Sequence, residues 1–267
     1  MNLFALKPRM DDLDLQAEAL LAGMAPSSPS AAPGQNMLPP NTRRDVEGLH
    51  ALSPVWRAGD GPATLFVHGW DDTHRVWRRF GQDWLMNARP LLLMDLPGHG
   101  ASKAEDWTWK FAGQAVADVC AAEGPVDAVV AHSFGCAAAA RALELGADIP
   151  ALVLIAPALR DEDRDWAARQ REAGVDEAVL ARALELFETR MGGGLKPFDI
   201  QAELAAYAGR LLLIGSAADE DCPLEPIKAL CASLPNATLH AVDHLDHRDL
   251  AQDGDILAVI RAFLNAV

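Results

Sequence analysis

An α/β fold on a mostly parallel sheet flanked by helices is what this sequence predicts, and three observations predict it. From Val55 onward, short apolar runs recur along the chain: "ATLFVHG", "RPLLLMDLPG", "DAVVAHSFG", "ALVLIAPA", "RLLLIGSA" and "ATLHAVDH". Several are apolar at consecutive positions, as strands covered on both faces are, rather than alternating like strands with one wet face. Each of the first five is followed by a helix-like stretch or a loop, and strands that alternate with helices pair in parallel because a parallel connection needs a crossover.

The elements follow in order. Residues 13–22, "LDLQAEALLA", carry helical apolar spacing, and the "APSSPSAAPGQNMLPPN" that comes next is rich in proline, serine and alanine, as linkers are. Residues 1–45 are therefore set apart as an arm and linker, free or docked on the body or on a second subunit, and 46–267 form the body. "RVWRRFGQDWL" reads as the helix after the first run, the alanine-rich "CAAAARALEL" as the helix after the third, and "ILAVIRAFLNA" as the closing helix. The spacing breaks once. Between "LIAPAL" and "RLLLIGS" lie about fifty residues, far more than an ordinary crossover, with a charged helical stretch and then "GGG". A helical cap at about 158–200, inserted after the strand ending near Ala156, fits that gap.

Half of the 267 residues are hydrophobic and 23% are charged, the composition of a folded globular chain. The net charge of −15 repels phosphate backbones and anionic headgroups, so nucleic acid is an unfavoured partner. No apolar run approaches the roughly 18–20 residues of a membrane span, and the apolar stretch in "MNLFALKPRMDDLDLQ" is too short for a secretory signal, so a cytoplasmic protein is expected. Cys120, Cys136, Cys222 and Cys231 form no CxxC pair and read as buried thiols. Composition leaves the oligomeric state open.

In a parallel sheet, ligands gather at the carboxyl ends of the strands, where loop amides and helix N-termini converge. That edge holds His68-Gly69-Trp70, Asp95 to Ser102, His132 to Gly135, Asp219 to Pro223, and Asp243 to His247. Ser133 stands between "DAVV" and the alanine-rich helix, with Ala131 and Gly135 two positions to either side. A sharp strand-to-helix turn needs such small flanks to push a serine out of the backbone. A serine hydroxyl is a poor nucleophile on its own and needs a base, a group that orients the base, and donors for an oxyanion.

With "FVHGW" at 66–70, "MDLPGHGAS" at 94–102 and "VVAHSFG" at 129–135, the chain resembles the α/β-hydrolase superfamily from about residue 55 to its C-terminus. The elbow departs from the usual glycine-first form by starting on Ala131. The resemblance implies a catalytic order of serine, acid, histidine. Asp219 in "SAADEDCP" takes the acid position, with Glu220 and Asp221 as rivals. His247, five residues past the last strand, takes the base position in preference to His244, which is only two past it. The implied oxyanion donors are the backbone amides of Phe134 and Trp70.

The reaction so implied is hydrolysis of a small neutral carboxylic ester through an acyl-enzyme, without a cofactor. Thioester cleavage, carbon–carbon bond hydrolysis and acyl transfer would use the same triad, and a non-catalytic receptor or scaffold would share the fold. Trp70, Phe134 and Trp166 are candidates for an apolar substrate pocket.

Two other clusters have simpler readings. His68, Asp71, Asp72 and His74 invite a metal, but the zinc-hydrolase pattern HxHxDH fails because Trp70 stands where its second histidine belongs, so no metal is expected. His68 then supports the oxyanion loop, while Asp71, Asp72 and His74 cap the following helix or edge the pocket. Asp95 and His99 read as turn architecture, and His132 as a ring packed under the elbow.

Overall fold

The computed structural model describes residues 12–27, 42–102, 107–159, 163–190 and 199–266. The first eleven residues, most of the proline-rich linker, and residues 160–162 and 191–198 of the expected cap lie outside the described residues. By contacts the chain divides into two compact units, Pro26–Arg160 with Phe198–Val267 and Met1–Ala25 with Asp161–Pro197.

The larger unit is built on one eight-stranded sheet, with strands β1 (Arg43–Glu47), β2 (Leu52–Ala58), β3 (Ala63–Val67), β4 (Leu91–Met94), β5 (Val126–His132), β6 (Ala151–Ile155), β7 (Arg210–Ser216) and β8 (Ala237–Val242). Their order is β1-β2-β4-β3-β5-β6-β7-β8. Pairing is antiparallel at β1–β2 and β2–β4 and parallel from β4 to β8. The parallel centre explains the unbroken apolar runs: every residue of β3, β4 and β6 is buried. β8 closes the far edge and is only half-buried.

The antiparallel pair is an addition to the sequence reading, which begins its strands at Val55. β1 reads "RRDVE", buries only Val46 and has four exposed positions. A charged edge strand of this kind resists further pairing and carries no apolar run to betray it.

Helices α2 (Arg78–Met86), α3 (Trp109–Glu123), α4 (Phe134–Glu144), α7 (Ile200–Leu204), α8 (Leu224–Ser233) and α9 (Gly254–Asn265) complete this unit. Phe66 on β3 and Phe80 on α2 are fully buried with Trp77 and Trp84 in one core cluster. Burial of a phenylalanine contributes about 1.5–3 kcal/mol, so these contacts hold the β3–α2 segment firmly on either side of "HGW". On α4, Cys136 and the four alanines after it are all fully buried. Side chains that small let the helix approach the sheet closely at the turn where Ser133 stands.

The second unit contains α1 (Asp12–Ala22), α5 (Asp163–Glu172) and α6 (Glu177–Arg190). α1 packs on α6 through Ala17 and Leu21, and Arg182–Asp14 and Arg190–Glu18 ion pairs flank the contact. The N-terminal helix of the arm thus has a partner within its own chain. Among the described residues, no helix is long and apolar enough to cross a membrane.

Candidate active site

The site starts from a strained turn. Ser133 follows the last residue of β5 with φ 52° and ψ −122°, a positive φ that non-glycine residues adopt only where their surroundings compel it. Here the Ser133 amide donates to the Ile155 carbonyl at 2.9 Å, and its carbonyl accepts from the Cys136 amide at 2.9 Å. Gly135 is required by space rather than torsion. A Cβ there would come within 2.4 Å of the His68 carbonyl oxygen and 2.8 Å of that of Val67. Ala131, two residues before the serine, is fully buried in β5.

Three loops bring the other groups to this turn. His247 Nε2 lies 2.9 Å from Ser133 Oγ, and His247 Nδ1 lies 2.8 Å from Asp219 Oδ2. With Asp219 ionised, Nδ1 carries the proton and donates to it, which leaves Nε2 to accept from the serine hydroxyl. Asp219 Oδ1 also accepts from the amides of Asp221 and Cys222, at 2.9 and 2.8 Å. Burial alone would raise the pKa of this carboxylate, but the hydrogen bonds from His247 and the two amides outweigh it and hold the pKa below the ordinary value.

The rivals differ in burial and in partner. Glu220 and Asp221 are exposed, whereas Asp219 is 4% exposed. His244 is exposed and paired with its neighbour Asp243 at 3.1 Å. The loop carrying His247 is shaped by Asp246, whose Oδ1 accepts from the amides of Arg248 and Asp249 at 3.0 and 2.8 Å.

Opposite, His68 sets the "HGW" turn. Its Nε2 accepts from the Leu96 amide at 3.0 Å, so Nδ1 carries the proton and donates to the Gly69 carbonyl at 2.8 Å. In a trans peptide the carbonyl and the next amide point in opposite directions. Drawing the Gly69 carbonyl toward His68 therefore turns the Trp70 amide away from it. Among the described residues no protein acceptor engages the Trp70 or Phe134 amide. The Trp70 indole, 36% exposed, meets Phe134, His99 and Trp107 edge-to-face at 5.2–5.4 Å. Trp166 lies on α5, in the other unit.

The expectation that Asp71, Asp72 or His74 caps the next helix is corrected. The cap is Thr73, whose hydroxyl accepts from the Arg75 amide at the start of a short 3-10 turn, His74–Trp77. Asp72 accepts from the Thr73 amide, and Asp71 from the Ser27 amide. His74 is buried and stacks on Trp56 at 3.7 Å, with Nδ1 2.8 Å from Asp95 Oδ1. Asp95 Oδ2 in turn accepts from the Ala101 amide at 2.8 Å. This buried pair braces the "DLPGHG" loop under His68, and its partners are too far apart in sequence to be matched by spacing.

Three histidines of this region are held neutral. Burial pulls His68 down to about 3, burial and the adjacent His247 pull His132 down to about 4, and burial lowers His99. In the unfolded chain such rings protonate near 6.5, so the native state binds fewer protons below that pH. The stability they confer is complete above pH 6.5 and falls as pH drops, until about pH 4 for His132 and about pH 3 for His68. The slope is about 1.4 kcal/mol per pH unit for each of these two rings. The melting temperature should therefore fall clearly between pH 7 and pH 4.5, and a flat profile over that range would contradict this account of the three rings.

Among the described residues, Asp219, Asp221 and His247 are the one group whose ligand atoms could converge on a metal ion. His247 and Asp219 already satisfy each other there, so the donor set fits a hydrogen-bonded triad better than a dedicated metal cage. Among the described residues no disulfide forms: Cys120, Cys136 and Cys222 are buried and Cys231 is half-buried.

Residues 64–260 match the model of the alpha/beta hydrolase family. The chain belongs to this family. This hydrolase is 30% identical over 228 residues to a pimeloyl-[acyl-carrier protein] methyl ester esterase of Chromobacterium violaceum, a match that covers 71% of this chain and 88% of the relative. Among solved structures it is similar to the esterase RhEst1 from Rhodococcus (TM-score 0.66, 15% identity, 84% of this chain and 99% of that one). It is also similar to a thermophilic esterase from Thermogutta terrifontis (TM-score 0.64, 18% identity, 83% and 97%). At those identities the two structures speak for the fold alone.

Proposed function

We propose that this hydrolase cleaves small neutral carboxylic esters with Ser133 as nucleophile, His247 as general base and acid, and Asp219 as the group that orients the imidazole. The single observation that carries the reading is the continuous chain from Asp219 Oδ2 through His247 to Ser133 Oγ, with links of 2.8 and 2.9 Å. His247 takes the hydroxyl proton as Oγ attacks the acyl carbon, then delivers it to the departing alcohol. Water, activated by the same imidazole, releases the acid. The Phe134 and Trp70 amides are assigned to the oxyanion, which supplies the stabilisation that a bare serine–histidine pair lacks.

Trp70 and Phe134, in edge-to-face contact beside the serine, suit an apolar acyl or alcohol group. The Chromobacterium relative is named for a methyl ester, a bond of the class assigned here. The assignment of residues 158–200 as a cap, and of Trp166 to ester selection, rests on the long break between strands. Cysteines that form no disulfide among the described residues fit a reducing, cytoplasmic setting.

The test is a panel of p-nitrophenyl esters of increasing acyl length with methyl esters of short acids, run beside the matching thioesters. Turnover of the oxygen esters supports the reading, whereas turnover of thioesters alone moves the bond class. Asp219→Asn should lower kcat by about 10⁴-fold, because the amide favours the wrong imidazole tautomer. Asp221→Asn should retain most of the rate, since Asp221 is exposed and the hydrogen bonds with His247 Nδ1 and with the Asp221 and Cys222 amides all fall on the Asp219 carboxylate. The reverse ranking would move the acid to Asp221.

A further inference from the structure

We propose that His132 is a positioning residue for the base, holding the His247 main chain beside Ser133 through a hydrogen bond donated by its own ring. The inference rests on the triad reading above. His132 ends β5, immediately before the nucleophile, and is 3% exposed. Its Nε2 lies 2.9 Å from the His247 carbonyl oxygen, so Nε2 carries the proton and donates. Among the described residues no backbone amide donates to that carbonyl. Asp246 gives the base loop its own shape, whereas the bond from His132 fastens the loop to the strand that carries the serine.

The other ring nitrogen argues the same way. Among the described residues, the buried Nδ1 has no hydrogen-bond partner. A Cβ added to Gly69 would lie 3.2 Å from it and 3.0 Å from Ser133 Cβ, so this edge of the ring is set against the oxyanion turn. The ring therefore fills the space between that turn and the base loop, and its Nε2 hydrogen bond goes to the main chain of the base. It also lies beside the His247 imidazole, with centroids 4.7 Å apart and planes at 43°. Burial and the neighbouring His247 keep it neutral at working pH, so it adds no cation next to the imidazolium that forms in the reaction. A packing role alone would be met as well by an apolar side chain, which would leave the His247 carbonyl without a donor.

The experiment compares His132→Gln with His132→Met in the full chain. The two side chains have equal length, but only glutamine can donate from the position of Nε2. Melting temperature checks folding, and His132→Leu replaces the methionine variant if that one fails to fold. Each protein is titrated with a fluorophosphonate and assayed on p-nitrophenyl acetate, and the downfield proton of the His247–Asp219 hydrogen bond is followed by NMR. The methionine variant should lose about 10²-fold in kcat and in fluorophosphonate reactivity, with KM little changed, since a displacement of about 1 Å is enough for such a loss. It should also lose or broaden the downfield signal, and glutamine should recover most of the rate and the signal. Equal rates and signals in both variants would overturn the proposal, as would equal losses in both, which would assign the effect to ring shape. If wild-type Ser133 takes no label, the triad reading fails instead, and the NMR comparison still decides whether His132 holds the His247 loop.

Discussion

Ser133→Ala is expected to leave the melting temperature nearly unchanged and to remove at least about 10⁴-fold of kcat. Fold and chemistry separate because the serine side chain bonds to His247 at 2.9 Å and supports no element of the sheet. Alanine can also keep the amide bond to Ile155 that fixes the turn. The strained φ of 52° even leaves room for a glycine at 133 to stabilise the protein while abolishing turnover. Steady-state assays on an activated ester, with the melting temperature measured in parallel, check both halves. A variant within tenfold of wild type would remove the serine from the mechanism.

His247→Ala should abolish acylation by the same ester, with a loss comparable to that of Ser133→Ala and no further loss in the double variant, because triad members act as a unit. His244→Ala should retain most of the rate. The geometry behind the contrast is simple: His247 reaches both Ser133 Oγ and Asp219 Oδ2, whereas His244 is exposed and pairs with its neighbour Asp243. A base has to reach within about 3 Å of the proton it takes, and among these two only His247 does. Rapid-mixing measurement of the p-nitrophenolate burst decides it, and a dead His244→Ala beside a normal His247→Ala would reverse the assignment.

The parallel centre of the sheet was legible because burial on both faces writes itself as an unbroken apolar run, as in "ATLFV", "LLLM" and "ALVLI". β1 was not, since an edge strand reading "RRDVE" owes its place to backbone pairing with β2 rather than to buried side chains. At the site, the resemblance to the α/β-hydrolase superfamily ranks His247 above His244 and Asp219 above Asp221, and the structure sets His247 Nε2 2.9 Å from Ser133 Oγ and Nδ1 2.8 Å from Asp219 Oδ2. The side chains around them were harder to read. Thr73 rather than its acidic neighbours caps the helical turn, and His74 meets Asp95 across 21 residues. The bond from His132 to His247 spans 115 residues, and no periodicity or local motif carries that information. The one available signal was chemical: a histidine at the end of a buried strand must place at least one ring nitrogen on a partner.

Ester hydrolysis by this site is expected to pass through an acyl group carried covalently on Ser133. Rapid acid quenching during turnover of a p-nitrophenyl ester, followed by intact and peptide mass spectrometry, tests it most directly. One acyl group per chain is expected, carried on the peptide that contains Ser133, seen in wild type and accumulated when deacylation is slowed at low pH. Turnover at the normal rate with an acyl group on another residue, or with ester oxygen exchange and no acyl-enzyme at all, would contradict it.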